Sequence, residues 1–233
     1  MKKDKRSAPV ARDVRKRGDK KKATYASFVK SPGIIQLETR LEANAACTFD
    51  CDPRVVGFRP QPMTIELNSG RIFSTKEALF EAYRGTRYKP RPYTPDFEVT
   101  LRSGRIFVET RHSAFIEKRP ETLDLPDIFK GFGLRLVVID ETGFPETYCQ
   151  NIRLLRGHLR TEIPAKLAKT FADACREPRP FRDIQAEVGT ERAMLLAAIA
   201  QGLVEADIVG ERLSDRAIVW SATTRAHLMR LPL

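Results

Sequence analysis

Residues 91–113, RPYTPDFEVTLRSGRIFVETRHS, constrain the fold more than any other stretch of the chain. YTPDFEVTL and RIFVETR have the alternation of two half-buried strands, and RSG between them reads as a hairpin turn. Period-two alternation places Asp96, Glu98 and Thr100 on one face of the first strand and Phe97, Val99 and Leu101 on the other. On the second strand Phe107, Glu109 and Arg111 share one face, and Ile106, Val108 and Thr110 share the opposite one. An antiparallel pair with this polarity can set Asp96 beside Glu109, with Arg111 two residues further on.

That placement has a chemical reading and a bland one. Two carboxylates with a backbone carbonyl between them, assigned to Thr110, form a hard oxygen site suited to Mg²⁺ or Mn²⁺. Such an ion activates water and clamps the oxygens of an in-line phosphoryl displacement, and a neighbouring cation can stabilise the developing charge. The bland reading is a solvated hairpin carrying scattered charges. The pattern PD…ExR does not by itself decide between them.

The surrounding chain gives the hairpin its setting. IIQLETRLEANAACTF, residues 34–49, reads as a helix from the spacing of Ile34, Leu37, Leu41 and Ala45. RVVGFRPQPMTIEL is extended and interrupted by Pro60 and Pro62, as an edge or bulged strand is, and Gln61-Pro62 reads as a structural bend. STKEALFEAYRG reads as a short helix or a loop excursion, RPETLDLPDIFKGFG as a helix with loops at both ends, LRLVVID as a buried strand and NIRLLRGHLR as a helix. From about residue 161 the character changes. FRDIQAEVG, TERAMLLAAIAQGLV and EADIVGERLSDRAIVW suggest helix, helix and β-wing, a winged helix-turn-helix order. The organisation expected is therefore a basic tail at 1–30, an α/β domain at 31–160 and a small winged-helix-like domain at 161–233.

Charge points to a polyanionic partner. The chain has 41 Lys and Arg against 30 Asp and Glu, a net +11. Residues 1–30 hold twelve of the basic residues and three of the acids, so +9 of the excess sits there. Arg15, Lys16, Arg17, Lys20, Lys21 and Lys22 are the expected phosphate contacts, which give affinity without sequence specificity. The tail is poor in large apolar groups, so it is expected to be mostly disordered when free. No apolar h-region follows it and no apolar run approaches a membrane span. The four cysteines form no zinc-type spacing, as expected of reduced thiols in a cytoplasmic protein. His158 and His227 are lone histidines and read as surface groups. AMLLAAIAQGLV carries no Lys or Arg, which favours packing against protein over reading a DNA groove.

Five elements in order resemble the TnsA endonuclease family of heteromeric transposases. They are Thr39 to Glu42 on the first helix; Asp52, Pro53 and Val55; Phe58, Gln61 and Pro62; Tyr93, Pro95, Asp96 and Phe97; and Glu109 with Arg111. NIRLLRGHLR is similar to the helix that closes that family's N-terminal domain. The resemblance covers residues 34–160 well and the remainder loosely. It implies an α/β, restriction-endonuclease-like core of mixed sheet flanked by helices, in a bacterial protein. It implies one-strand cleavage of double-stranded DNA at transposon ends, alongside an integrase-like transposase subunit and an AAA+ ATPase regulator that the C-terminal domain engages. Glu42, Asp96 and Glu109 take the metal-linked positions. Glu38, one helical turn before Glu42, is its rival, although the ten-residue step from Glu42 to Asp52 suits the family pattern better.

Arg111 stands where that family has lysine. A lysine ammonium can shift its pKa and take part in proton transfer, whereas a guanidinium stays charged. Three readings stay open: a site in which Arg111 supplies the electrostatics, a site helped by another cation such as Lys118, and a degenerate subunit kept for assembly. A DNA-binding regulator whose C-terminal domain reads sequence is the further alternative.

Overall fold

The structure is a computed structural model that describes residues 6–11, 24–222 and 224–233. It is mixed α/β, and its chain divides into two compact units. The first comprises Met1–Phe49, Val55–Thr142 and Pro232–Leu233; the second comprises Asp50–Arg54 and Gly143–Leu231. No helix among the described residues is long and apolar enough to cross a membrane.

The first unit opens with an antiparallel hairpin, β1 (Thr24–Ser27) and β2 (Ile34–Leu37). The helix expected over 34–49 is therefore shorter: α1 spans Arg40–Cys51. Ile34 and Leu37 fit a helical stripe, but they equally fit a strand, and the β-branched Ile34-Ile35 pair resolves to the latter once β1 is its partner. β1 lies within the segment that composition assigns to a disordered tail. Ala11 also belongs to the folded unit. It is buried, its N–H donates to the Gln61 carbonyl at 2.8 Å, and its carbonyl accepts from Lys76.

A four-stranded sheet follows, in the order β3 (Val55–Pro60), β7 (Phe97–Leu101), β8 (Gly104–Thr110), β9 (Leu136–Ile139). The first three strands are antiparallel and β9 runs parallel to β8. The hairpin read from residues 91–113 forms as expected, with Phe97 opposite Val108 and Glu98 opposite Phe107. β3 is an edge strand that ends at Pro60, where a proline is tolerated, and it carries a bulge between Val55 and Gly57 at its other end. β9 is also an edge strand. Val137 and Val138 are only half-buried, so the expectation of burial on both faces is not met.

Both faces of the sheet are covered. On one, Phe58, Phe97 and Phe49 of α1 pack edge to face at centroid distances of 5.3–6.2 Å. On the other, Phe107 meets Phe129 of α4 (Leu125–Gly131) at 5.8 Å, with Met63, Ile65, Leu125 and Leu136 completing the cluster. A short helix, α3 (Ser113–Lys118), precedes α4 in the crossover from β8 to β9.

A second, small antiparallel sheet has the order β5 (Ile72–Phe73), β4 (Thr64–Glu66), β6 (Pro92–Tyr93). Between β5 and β6 the chain makes an excursion that carries α2 (Lys76–Ala82), capped by the Thr75 side chain at Ala78 N. Glu66 closes its base. The buried carboxylate accepts from Ser69 N at 2.8 Å, Ser69 Oγ at 2.7 Å and Arg91 N at 2.9 Å.

The second unit is built from α5 (Glu146–Arg156), α6 (Ala165–Ala174), β10 (Arg179–Pro180), α7 (Phe181–Val188), α8 (Arg192–Ala200), β11 (Val204–Ala206) and β12 (Ile218–Ser221). Its sheet has the order β10-β12-β11. α5 begins before the expected NIRLLRGHLR helix and ends at Arg156, so only NIRLLR of that stretch is helical, and Asn151 ties it to this unit. That buried amide donates to the Ile208 and Glu211 carbonyls and accepts from Leu213 N. Gly189 ends α7 in the left-handed conformation, which costs glycine little. Residues 195–200 of α8 are all buried, so the helix without Lys or Arg at its centre packs inside its own unit. His227 is likewise no surface group: its ring is almost fully buried, within 3.2 Å of the Ile199 carbonyl. The four cysteines are buried and form no disulfide.

Candidate active site

Asp96 sits at the bend that leads into β7, and Glu109 is the penultimate residue of β8. The register Phe97↔Val108 continues one step to bring these two carboxylates side by side. The bend is fixed from below. Gln61 occupies a positive-φ conformation (φ 43°) between Pro60 and Pro62, and its N–H donates to the Asp96 carbonyl at 2.8 Å. The Gln61 side chain donates to Glu38 Oε1 at 2.9 Å. Gln61-Pro62 is thus structural as read, but its structural task is to hold the backbone of Asp96.

Each carboxylate is held by a donor that no sequence pattern assigned. Thr110 donates to Asp96 Oδ2 from both its N–H and its hydroxyl, each at 2.8 Å. Tyr93 donates its phenolic hydrogen to Glu109 Oε2 at 2.6 Å, and Arg111 donates to Glu109 Oε1. The Tyr93 ring is wedged against Phe129 at 5.7 Å. Tyr93 was visible in the sequence only as part of YTPDF; nothing in the spacing assigned it a partner.

Glu42 lies in the first turn of α1 and has two roles. It completes a reciprocal cap: Thr39 Oγ1 accepts from Glu42 N at 3.0 Å and donates to Glu42 Oε1 at 3.1 Å, while Glu38 N donates to Glu42 Oε2 at 2.8 Å. TRLE at 39–42 is a capping-box signature, a signal the sequence contained. Glu42 also senses Asp96. Burial first, and then the Asp96 charge, push its pKa up to about 8. Glu109 behaves alike, raised to about 7 by burial and then by Asp96, with Arg111 and Tyr93 opposing. Asp96 is therefore electrostatically linked to both other acids, whereas the Glu38 carboxylate is engaged by Gln61.

Burial separates the site's parts. The Glu109 side chain is 1% exposed and that of Arg111 is 44% exposed, so the carboxylate is shielded while its cation faces solvent. Lys118 is exposed in the last turn of α3, and the His112 side chain caps the start of that helix. Asp52 takes no part: its buried carboxylate accepts from Arg54 N, Nε and Nη2. Arg15, Lys16, Arg17, Lys20, Lys21 and Lys22 lie outside the described residues.

The donor chemistry fits a hard divalent cation, since carboxylates gathered against their own repulsion gain most from a positive charge. The side chains do not form a finished cage: among the described residues no group of three or more His, Cys, Asp or Glu converges as a metal site. Glu42 is engaged by its helix cap, and Glu109 by Tyr93 and Arg111. No protein-family model matches this chain, and no curated protein sequence matches it.

Proposed function

We infer that this chain is a TnsA-type endonuclease subunit of a heteromeric transposase, hydrolysing one DNA strand at transposon ends. The observation that carries the reading is the pairing of Asp96 and Glu109 at the end of the β7–β8 hairpin, with Glu42 on α1 linked to them through Asp96. The fold supports it. The order α1, β3, β7, β8, α4, β9, with three antiparallel strands and a parallel fourth, is compatible with a restriction-endonuclease-like core. The order α6, β10, α7, α8, β11, β12, with β12 central in its sheet, is compatible with a winged helix. With residues 195–200 buried in its own unit, α8 leaves little surface for groove reading, which counts against a sequence-reading role; partner docking is what the family resemblance implies for this unit. The partners of the reading are an integrase-like transposase and an AAA+ regulator.

Asp96, Glu109 and Glu42 would hold Mg²⁺ or Mn²⁺, with the Thr110 carbonyl as a further oxygen. The ion supplies Lewis acidity and an activated water at neutral pH. Thr110 orients Asp96, and Tyr93 orients Glu109. Arg111, permanently charged and facing solvent, is placed to neutralise charge on a phosphate rather than to move a proton.

One observation favours the second reading, an assembly subunit without cleavage. The Arg111 guanidinium already neutralises Glu109, so part of the demand for a metal charge is met internally. The two readings part in one experiment: strand cleavage of a transposon-end duplex by the chain with its transposase partner in Mg²⁺. The endonuclease reading expects cleavage that Asp96→Asn abolishes while the complex still assembles. Absence of cleavage by the unaltered chain in an assembled complex rejects it.

A further inference from the structure

The excursion at residues 68–91 is not explained by the acid site. Its sequence, NSGRIFSTKEALFEAYRGTRYKPR, holds six basic residues against two acids. Arg71, Lys76, Arg84, Arg87, Lys89 and Arg91 are all exposed, and Glu81 is already paired with Arg84 at 2.6 Å. Rings are interleaved with these charges. Phe80 is 48% and Tyr88 41% exposed, in a segment whose helix buries only Leu79. Lys76 Nζ lies 5.8 Å from the Phe80 ring centroid, and Arg71 lies over both Phe73 and Tyr83. The Tyr83 and Tyr88 rings meet at a tilt of 38° with centroids 4.9 Å apart, and Asn68 donates to the Tyr88 hydroxyl at 3.0 Å.

These rings do not build the core, and the fold leaves their surfaces in water at a hydrophobic cost. The excursion is nonetheless firmly rooted, because Glu66 binds Ser69 at one end and Arg91 at the other. An anchored arm on which exposed rings are interleaved with cations matches the two needs of a single nucleic-acid strand: π-faces for unstacked bases and positive charge for the phosphates between them. A duplex hides its base faces and would use only the charges.

We propose that the 68–91 excursion is a binding surface for single-stranded or unpaired DNA, with Phe80 and Tyr88 as stacking platforms and Arg87 and Lys89 as phosphate contacts. It extends the DNA reading above without depending on hydrolysis. Binding is therefore measured in EDTA, where failure of the acid site has no effect.

The test uses the full chain and fluorescence anisotropy with a labelled single-stranded oligonucleotide and its duplex. Phe80→Ala with Tyr88→Ala is expected to weaken single-strand binding about tenfold or more and to affect the duplex much less. Arg87→Glu with Lys89→Glu weakens both and flattens the salt dependence. Phe115→Ala, which removes a still more exposed ring on α3, leaves both unchanged. Because the basic tail adds affinity of its own, iodouridine photocrosslinking gives a second readout, with adducts expected on Phe80 or Tyr88. Unchanged single-strand affinity together with crosslinks confined to other residues overturns the proposal. So does unchanged DNA affinity with loss of the transposase partner, which marks a protein-docking surface instead.

Discussion

Two buried glutamates in the same unit are held in opposite ways. Glu66, at the root of the excursion, is fully buried, and burial alone would push its pKa up. The hydrogen bonds from Arg91 N–H and from the Ser69 hydroxyl and N–H outweigh that and bring it down to about 2. Glu109 also has donors, Tyr93 and Arg111, yet burial first and then the Asp96 charge raise its pKa to about 7. Both side chains are closed off from solvent, but Glu109 is packed more deeply and also faces a neighbouring carboxylate. A structural carboxylate is solvated by donors and faces no like charge. A carboxylate kept beside another is a concentration of negative potential that only a cation or a proton relieves, which is the electrostatic form of a functional site.

The sharpest way to break this comparison is a pair of isosteric substitutions. Glu66→Gln leaves N–H donors facing an amide that can accept only at its oxygen, and is expected to cost about 3 kcal/mol in urea unfolding of the full chain. Glu109→Gln removes repulsion together with a half-exposed ion pair, and is expected to change stability by less than about 1 kcal/mol while abolishing cleavage. Equal stability losses would erase the distinction between the two positions.

A smaller effect is expected at Tyr93. Tyr93→Phe keeps the ring against Phe129 and deletes one hydrogen bond to Glu109, so cleavage should fall about tenfold with the unfolding midpoint little changed. Full activity in this variant would show that Glu109 needs no orienting donor.

The same comparison appears in the pH dependence of stability. Glu42 and Glu109 hold protons in the folded state up to about 8 and 7, against 4.5 unfolded. The folded state binds more protons in that window, so these two groups make stability fall as pH rises from about 4.5 through 8. Glu66 has the opposite sign: its contribution is present above 4.5 and is lost as pH falls toward about 2. The melting temperature should therefore decline by about ten degrees between pH 5.5 and 8.5. Mg²⁺ should restore more of it at the upper end, and Asp96→Asn should flatten the slope. A rise across that interval in the unaltered chain would reverse the assignment of sign.

The hairpin was legible because alternation in VTL and IFV fixes which side chains share a face, and that alone put Asp96 and Glu109 together. The edge strand with its break at Gln61 was legible from two prolines. β2 was not, because Ile34 and Leu37 satisfy both periods and the strand that decides between them, β1, sits in a basic segment. The anchors were illegible for another reason. Tyr93 to Glu109, Thr110 to Asp96 and Ser69 to Glu66 are side-chain hydrogen bonds whose partners are set by how strands and turns meet, which no local pattern encodes. The cap made by Thr39 and Glu42 was the exception, a four-residue signal present in TRLE.

Whether the acids form a cation site is tested most directly by isothermal titration calorimetry of Mn²⁺ and Mg²⁺ into the unaltered chain and into Asp96→Asn, with neither DNA nor a partner present. The substituted amide keeps an oxygen acceptor for Thr110 and loses the charge that links Glu42 to Glu109. Saturable binding by the unaltered chain that disappears in the variant is the predicted result. Absence of binding at millimolar ion, or equal binding by both proteins, would contradict it.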